Sequence, residues 1–285
     1  MLKKALILGC NGTLGQALVQ EFRKHGYKVI AWDKEVADAT SQEIASQIAE
    51  VHPDIIINAT AYNVVDKVEV DKSERKIAFL INSRVPGDLA KIAKKLNAMF
   101  VHYSTNYVFS GENKKGYEES DIPSPVNKYG ESKLKGEEAV KRVGGKYYII
   151  RLSRLFGVRG ISRMSKRTFI EIMMAELDKK ELEVGNTEVG SLTYAPDLAE
   201  LTREIIERGM PLGIYHGANN GSCTWYEWAK EIFKILGKGP KVIPVQHTLT
   251  PKTTKHPVYT TLLNTKLPKQ RSWQEALSKF LQLNY

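Results

Sequence analysis

The sequence predicts an α/β chain: a doubly wound parallel sheet with a smaller C-terminal lobe. Three observations point there. Short apolar runs alternate with amphipathic stretches through the first 150 residues, a glycine-rich turn follows the first run, and no Gly/Ser- or Pro-rich linker divides the 285-residue chain. Strand–helix alternation calls for a parallel sheet covered by helices on both faces. A chain of this length buries a sizeable core.

The elements follow in order. Residues 3–8, 28–32, 54–58, 99–104 and 147–152 are runs of Ile, Val, Leu and aromatic residues, and they read as buried strands. Between them, 14–25, 41–51, 77–96 and 126–142 place apolar residues three and four apart and read as helices. Further on, 170–177, 197–207 and 225–236 are also helical, while 237–259, rich in Pro, Thr and Lys, reads as loop. The expected division is a first domain over 1–155 and a lobe over 156–285, with about 180–205 returning to the first domain.

Composition excludes several function classes. At 42% hydrophobic and 26% charged the chain is globular, and no apolar run approaches the ~18 residues of a membrane span. Two cysteines give no disulfide framework and no paired metal ligands, and the first residues lack a signal-peptide pattern, so a cytoplasmic protein without a metal is expected. The net charge of +10 is unevenly spread: residues 232–274 hold eight bases and no acid, and six bases without an acid run from Arg151 to Arg167. No nucleic-acid-binding module accompanies this charge, which leaves either a solvated lysine-rich surface or, for the arginines, a small anionic ligand.

The first strand ends in Gly9-Cys-Asn11-Gly12-Thr13-Leu14-Gly15 and runs into a helix. Glycines at this place permit a tight turn and close backbone approach to a pyrophosphate, and the helix start supplies N–H groups and partial positive charge. The second strand then ends at Asp33, where a carboxylate bridges ribose hydroxyls. Together these point to a dinucleotide, NADH or NADPH. Asp33 favours the cofactor without a 2′-phosphate, and Lys34 offsets that preference. Asp38-Ala-Thr40 either places a side chain near the adenine edge, or Thr40 or Ser41 is a plain helix N-cap.

Tyr129-Gly-Glu-Ser-Lys133 puts a phenol and an ammonium on one helix face. A nearby Lys⁺ favours phenolate, so the pair is expected to lower the tyrosine pKa for proton transfer. A second copy of the spacing, Tyr226 to Lys230, reads as an amphipathic helix over the core. Tyr129 differs by its setting, 24 residues beyond Thr105 at the end of the fourth strand, the edge where open α/β sheets bind ligands.

With these residues in place the chain resembles the extended short-chain dehydrogenases/reductases, and within them the dTDP-4-dehydrorhamnose reductases. Further segments extend the likeness over nearly the whole length. Asn58-Ala59-Thr-Ala61-Tyr62-Asn-Val-Val-Asp66 resembles the family's NAAAYTAVD, Ile-Asn82-Ser its VNA stretch, and His102-Tyr-Ser-Thr105-Asn106-Tyr107-Val108-Phe109 its HxSTDYVF. Pro125 to Glu137 resembles PLNVYGxSKLxGE, Gly190-Ser-Leu-Thr193 stands at GxPT, Thr224 to Ala229 resembles TWYEFA, and Pro251 with His256-Pro257 falls at TPAxRP.

The resemblance implies a Rossmann fold and an NAD(P)H-dependent reduction of a nucleotide-linked 4-keto-6-deoxy sugar. It makes Tyr129 the proton donor, with Lys133 on the nicotinamide ribose and Thr105 on the sugar carbonyl or the Tyr129 oxygen. Gly9, Asn11, Gly12, Thr13, Leu14, Gly15, Asp33, Lys34, Asp38, Ala59, Ala61, Tyr62 and Asn82 would line the cofactor, and Thr105, Asn106, Val108 and Arg154 the substrate. The partner is then a nucleotide-diphosphate sugar, with no nucleic acid and no membrane; a homodimer is the candidate assembly. Another nucleotide-sugar reductase, a 4-epimerase or a non-catalytic cofactor-binding subunit are the competing readings.

Departures from the pattern concern the substrate. Asn106 replaces an Asp and cannot carry charge. Arg154 replaces a Trp that packs on the sugar, adding a cation that suits a more acidic sugar or a differently held diphosphate. Residues 158–167, with Arg159, Arg163, Lys166 and Arg167, are more basic than the family's loop, either as part of the site or as a solvated surface.

Overall fold

The computed structural model describes residues 2–162, 165–246 and 254–285. Arg163 and Pro251 lie outside the described residues. The first half runs β1 (Lys4–Leu8), α1 (Thr13–Lys24), β2 (Lys28–Trp32), α2 (Ile44–Val51), β3 (Ile55–Asn58), α3 (Val65–Val70), α4 (Lys72–Phe79), a π turn (Leu80–Arg84), α5 (Val85–Lys95), β4 (Met99–Thr105), α6 (Lys128–Val143) and β5 (Tyr147–Leu152). The second half adds β6 (Leu155–Phe156), α7 (Phe169–Met174), β7 (Glu181–Gly185), β8 (Val189–Gly190), β9 (Thr193–Tyr194), α8 (Ala195–Glu207), β10 (Gly213–His216), α9 (Trp225–Leu236), β11 (Lys241–Val245), β12 (Tyr259–Thr260) and α10 (Trp273–Asn284).

Six parallel strands form the main sheet in the order β10-β5-β4-β3-β1-β2. The central ones are mostly apolar because both faces are covered, with Asn58 on β3, His102, Ser104 and Thr105 on β4 and Arg151 on β5 as buried polar exceptions. On one face Leu14, Leu18 and Phe22 of α1 pack with Leu198 and Ile205 of α8. On the other, Ile48 of α2, Leu89 of α5 and Val140 of α6 close a second core layer. The chain passes from β1 to β2 on one side and to β3 on the other, so the crevice at the carboxyl ends of β1 and β3 is the switch point where such sheets take ligands. A separate aromatic core in the smaller lobe joins Phe156, Ile170, Trp228 and Phe280 from β6, α7, α9 and α10.

Several element readings need correction. The single helix expected over 77–96 is α4, a π turn and α5. It starts earlier because the Asp71 carboxylate caps it, accepting from the N–H groups of Ser73 and Glu74. The π turn falls where Asn82 is drawn fully into the interior. Residues 237–259 are not all loop: β11 pairs in parallel with β7 outside the main sheet. Within 180–205, β7 belongs to that small sheet while α8 packs against α1. The sixth strand, β10, and α10 escaped the reading.

Candidate active site

Glycine chemistry shapes the crevice. Gly9 has φ +78°, and a Cβ there would stand 2.9 Å from the backbone of Ala59, so the turns after β1 and β3 touch. At Gly15 a Cβ would fall 2.1 Å from the Gly9 carbonyl oxygen, which only hydrogen permits. Gly12 begins α1 with no side-chain cap and no acid in the first turn, leaving the helix start suited to an anion. The residues therefore fit a dinucleotide pyrophosphate.

Asp33 stands at the end of β2 and accepts from the Asn11 N–H at 3.0 Å and the Lys34 N–H at 2.7 Å. It holds the glycine turn while remaining partly exposed. Thr13 Oγ1 accepts from the Gly160 N–H (3.1 Å), and the Asn11 carbonyl from Ile161 (2.8 Å), so the chain after β6 crosses beside the glycine turn. Leu14 is buried in the α1 core. Asp38 accepts from the N–H and hydroxyl of Thr40 and closes a local turn. Beside that turn, Ala39, Thr40, Leu80 and Arg84 line a groove of about 300 Å³, and neither Leu80 nor Arg84 was found by sequence reasoning.

The segment after β3, expected to line the cofactor, divides. Ala59 is half-buried, Ala61 exposed and Asn82 fully buried. Its Oδ1 accepts from the Tyr62 N–H (2.9 Å), while its Nδ2 donates to the Tyr62 carbonyl (2.9 Å) and Ser132 Oγ (3.0 Å). Asn82 thus clamps that segment to α6. Tyr62 is buried, its hydroxyl donates to Glu74, and burial pushes it up to about 12.

The expected reactive residues come together beneath the carboxyl ends of β4 and β5. Thr105, Tyr129 and Lys133 are all buried, Tyr129 at 9% exposure and Lys133 at 2%. Asn127 Oδ1 caps α6 by accepting from the Gly130 N–H at 2.8 Å. The helix then sits deep, because a Cβ at Gly130 would meet the Tyr107 carbonyl oxygen at 2.2 Å and one at Gly136 that of Asn82 at 2.1 Å. Below, Glu137 accepts two hydrogen bonds from Arg151, at 2.9 and 2.8 Å, and the guanidinium holds the carboxyl below its usual range despite burial.

Their electrostatics differ from the expected pairing. Burial pushes the Tyr129 phenol up to about 12, opposed by its hydrogen bond with Thr105. Lys133 is pushed down to about 8, again by burial, with Glu137 opposing. Its Nζ donates to the Tyr103 carbonyl at 2.6 Å. Desolvation thus dominates at both groups, and burial favours the neutral form of the Tyr129 phenol.

On the substrate side, the Thr105 hydroxyl donates to Asn106 Oδ1 at 3.1 Å, both side chains being buried. Val108 is fully buried with Phe109, Tyr117 and Leu262, and its carbonyl accepts from the Ser124 N–H. Arg154 has φ +41°, lies 4.3 Å above the Trp225 ring, and donates to the carbonyls of Cys223 (2.6 Å) and Glu188 (2.9 Å). The aromatic surface beside it comes from Trp225. In the basic stretch, Arg159 pairs with Glu171 at 3.4 Å. Among the described residues no three His, Cys, Asp or Glu side chains are grouped to hold a metal ion. No helix among them is long and apolar enough to cross a membrane.

Comparison with known proteins agrees with this geometry. The chain is 33% identical to the spore coat polysaccharide biosynthesis protein SpsK of Bacillus subtilis, over 98% of this chain and 97% of that one. It is 30% identical to a dTDP-4-dehydrorhamnose reductase of Burkholderia thailandensis, over 94% and 92% of the two. A crystal structure of dTDP-4-dehydrorhamnose reductase from Bacillus anthracis, in complex with NADP, superposes with a TM-score of 0.92 at 33% identity, covering 100% of both chains. The RmlD substrate binding domain matches residues 3–285, and the chain belongs to that family.

Proposed function

We propose that this chain is an NAD(P)H-dependent reductase that converts dTDP-4-dehydrorhamnose to dTDP-rhamnose. The observation that carries the reading is the burial of Thr105, Tyr129 and Lys133 together, at the same carboxyl edge of the sheet as a glycine turn shaped for a dinucleotide. The glycine turn and the start of α1 would hold the pyrophosphate, Asp33 and Lys34 the adenosine ribose, and the groove at Thr40, Leu80 and Arg84 the adenine. Bound there, the reduced cofactor supplies hydride to C4 of the sugar. As the C4 oxygen gains charge, the neutral Tyr129 phenol donates its proton to it, with the Thr105 hydroxyl orienting the phenol. Lys133 would hold the nicotinamide ribose, and Asn82 keeps Tyr62 and α6 in register. Arg154 and Trp225 would form the far wall for the sugar.

The same proposal divides the chain at 155/156 into cofactor and substrate parts and includes a homodimer and a cytoplasmic setting, the last supported by two free thiols, Cys10 and Cys223. The test follows NADPH and NADH oxidation with enzymatically made dTDP-4-dehydrorhamnose beside Tyr129→Phe. Turnover that vanishes in the variant, with cofactor still bound, is the expected result. Equal turnover in the two proteins overturns the assignment of Tyr129, and no turnover in either overturns the substrate.

A further inference from the structure

A cluster of ionisable side chains reaches Tyr129 through the Tyr107 ring, and of its members the proposed reaction uses only Arg154. Tyr107 follows β4, and its ring meets that of Tyr129 edge-on, centroids 5.6 Å apart at 77°. Its hydroxyl lies 3.1 Å from His256 Nδ1. His256 reaches in from the smaller lobe: Nε2 is 3.2 Å from Asp66 Oδ1 at the start of α3, and Nδ1 is 3.6 Å from Glu188 Oε1, between β7 and β8. The other oxygen of Glu188 accepts from Trp225 Nε1 at 3.0 Å. Lys166 lies near Asp66, and Arg154 lies near both Tyr107 and Glu188.

The backbone around His256 is fixed on both sides. Asn127, which caps α6, donates from Nδ2 to the Lys255 carbonyl at 3.0 Å. After His256, a Cβ on Gly111 would fall 2.5 Å from Pro257, and the Tyr259 N–H donates to the Gly111 carbonyl at 2.9 Å. One imidazole therefore touches the first helix after the cofactor segment, the tyrosine packed on the proton donor, and a carboxylate of the other lobe.

We propose that His256 is a positioning residue for Tyr129: it latches the two lobes through Asp66 and Glu188 and holds Tyr107 against the Tyr129 ring. The proposal rests on the reductase reading for its kinetic consequence, though not for the latch itself. Losing the imidazole frees the Tyr107 ring, and with it the wall that fixes the Tyr129 phenol over the substrate.

Amide replacements separate the two ring nitrogens, because an Asn side chain reaches the place of Nδ1 and a Gln side chain that of Nε2. Steady-state kinetics with NADPH and dTDP-4-dehydrorhamnose would compare His256→Asn, His256→Gln, His256→Ala and Tyr107→Phe, with NADPH affinity read by fluorescence. The expected result is a roughly tenfold fall in kcat for His256→Ala, His256→Gln and Tyr107→Phe, with KM and NADPH affinity within about twofold. His256→Asn keeps most of kcat, and the His256→Ala/Tyr107→Phe double variant falls no further than either single one. Unchanged kcat, losses confined to KM, multiplicative losses in the double variant, or rescue by Gln but not Asn would each overturn it. If the unsubstituted protein does not turn over this sugar, the reductase reading has failed, and thermal unfolding of the same variants decides the latch. Shifts in Tm that fall short of additive support contact between His256 and Tyr107, and additive shifts overturn it.

Discussion

Two helices of this molecule carry a tyrosine and a lysine four residues apart, and they have opposite fates. On α6, Tyr129 and Lys133 are buried at the carboxyl edge of the main sheet. On α9, Tyr226 is half-buried and Lys230 exposed, its ammonium 6.0 Å from the centre of the Tyr226 ring, while Trp228, Ala229, Ile232 and Phe233 fill the core of the smaller lobe. The spacing is the same, so it is not what makes a site. The difference lies one and seven residues after the tyrosine. Helix α6 has Gly130 and Gly136 there, admitting the carbonyls of Tyr107 and Asn82, whereas α9 has Glu227 and Phe233. A helix without side chains at those places sinks into the protein; one with them stands off.

The sharpest way to break this comparison is to remove both phenol oxygens separately. Tyr129→Phe is expected to lower kcat by about 10³-fold, within the range for losing a general acid, with NADPH affinity little changed. Tyr226→Phe is expected to stay within about twofold of the unsubstituted protein. Similar losses in the two variants would show that the deep seat of α6 is irrelevant to the reaction.

The glycine explanation is open to a direct test. Gly136→Ala places a methyl 2.1 Å from the Asn82 oxygen, so α6 or the π turn must move. The expected cost is about 3 kcal/mol in denaturant unfolding, at the upper end for overpacking. Because Asn82 also clamps Tyr62, activity per folded molecule should fall as well. A Gly136→Ala variant as stable and active as the original would mean that α6 is not held at this contact.

These glycines also mark how much of the site was legible. The strands showed because burial on both faces makes the middle of the sheet largely apolar, most plainly at Ile55, Ile56 and Ile57, while the half-buried edge strand β2 still carries Val29, Ile30 and Trp32. The glycine turn, Asp33, Thr105, Tyr129 and Lys133 showed because each sits at a strand end or on a local spacing. Asn82 was legible as a residue but not as a clamp, since its partners Tyr62 and Ser132 lie 20 and 50 positions away. Tyr107 and His256 are 149 positions apart and meet only through the packing of the two lobes, which no local pattern records. The sign of the Tyr129 shift was misjudged for a related reason: spacing reveals a neighbouring charge, whereas desolvation depends on how deep the whole helix sits.

That depth has a thermodynamic consequence separating the two lysines. Burial holds Lys133 at about 8 in the fold, against 10.5 for an ordinary lysine. Between those values the unfolded chain binds a proton that the folded chain does not, so stability rises with pH across this window and the penalty is complete below pH 8. The shift corresponds to about 3 kcal/mol, and losing the hydrogen bond to the Tyr103 carbonyl offsets about 1 of it. Lys133→Met is therefore expected to be more stable than the original protein by about 2 kcal/mol at pH 7, though inactive. The advantage should shrink as pH rises from 8 toward 10.5, read by urea unfolding at a series of pH values. Lys230→Met, on the exposed face of α9, should show neither the gain nor the pH dependence. A pH-independent gain at Lys133 would trace the effect to packing rather than to a buried charge, and the contrast between the helices would then rest on shape alone.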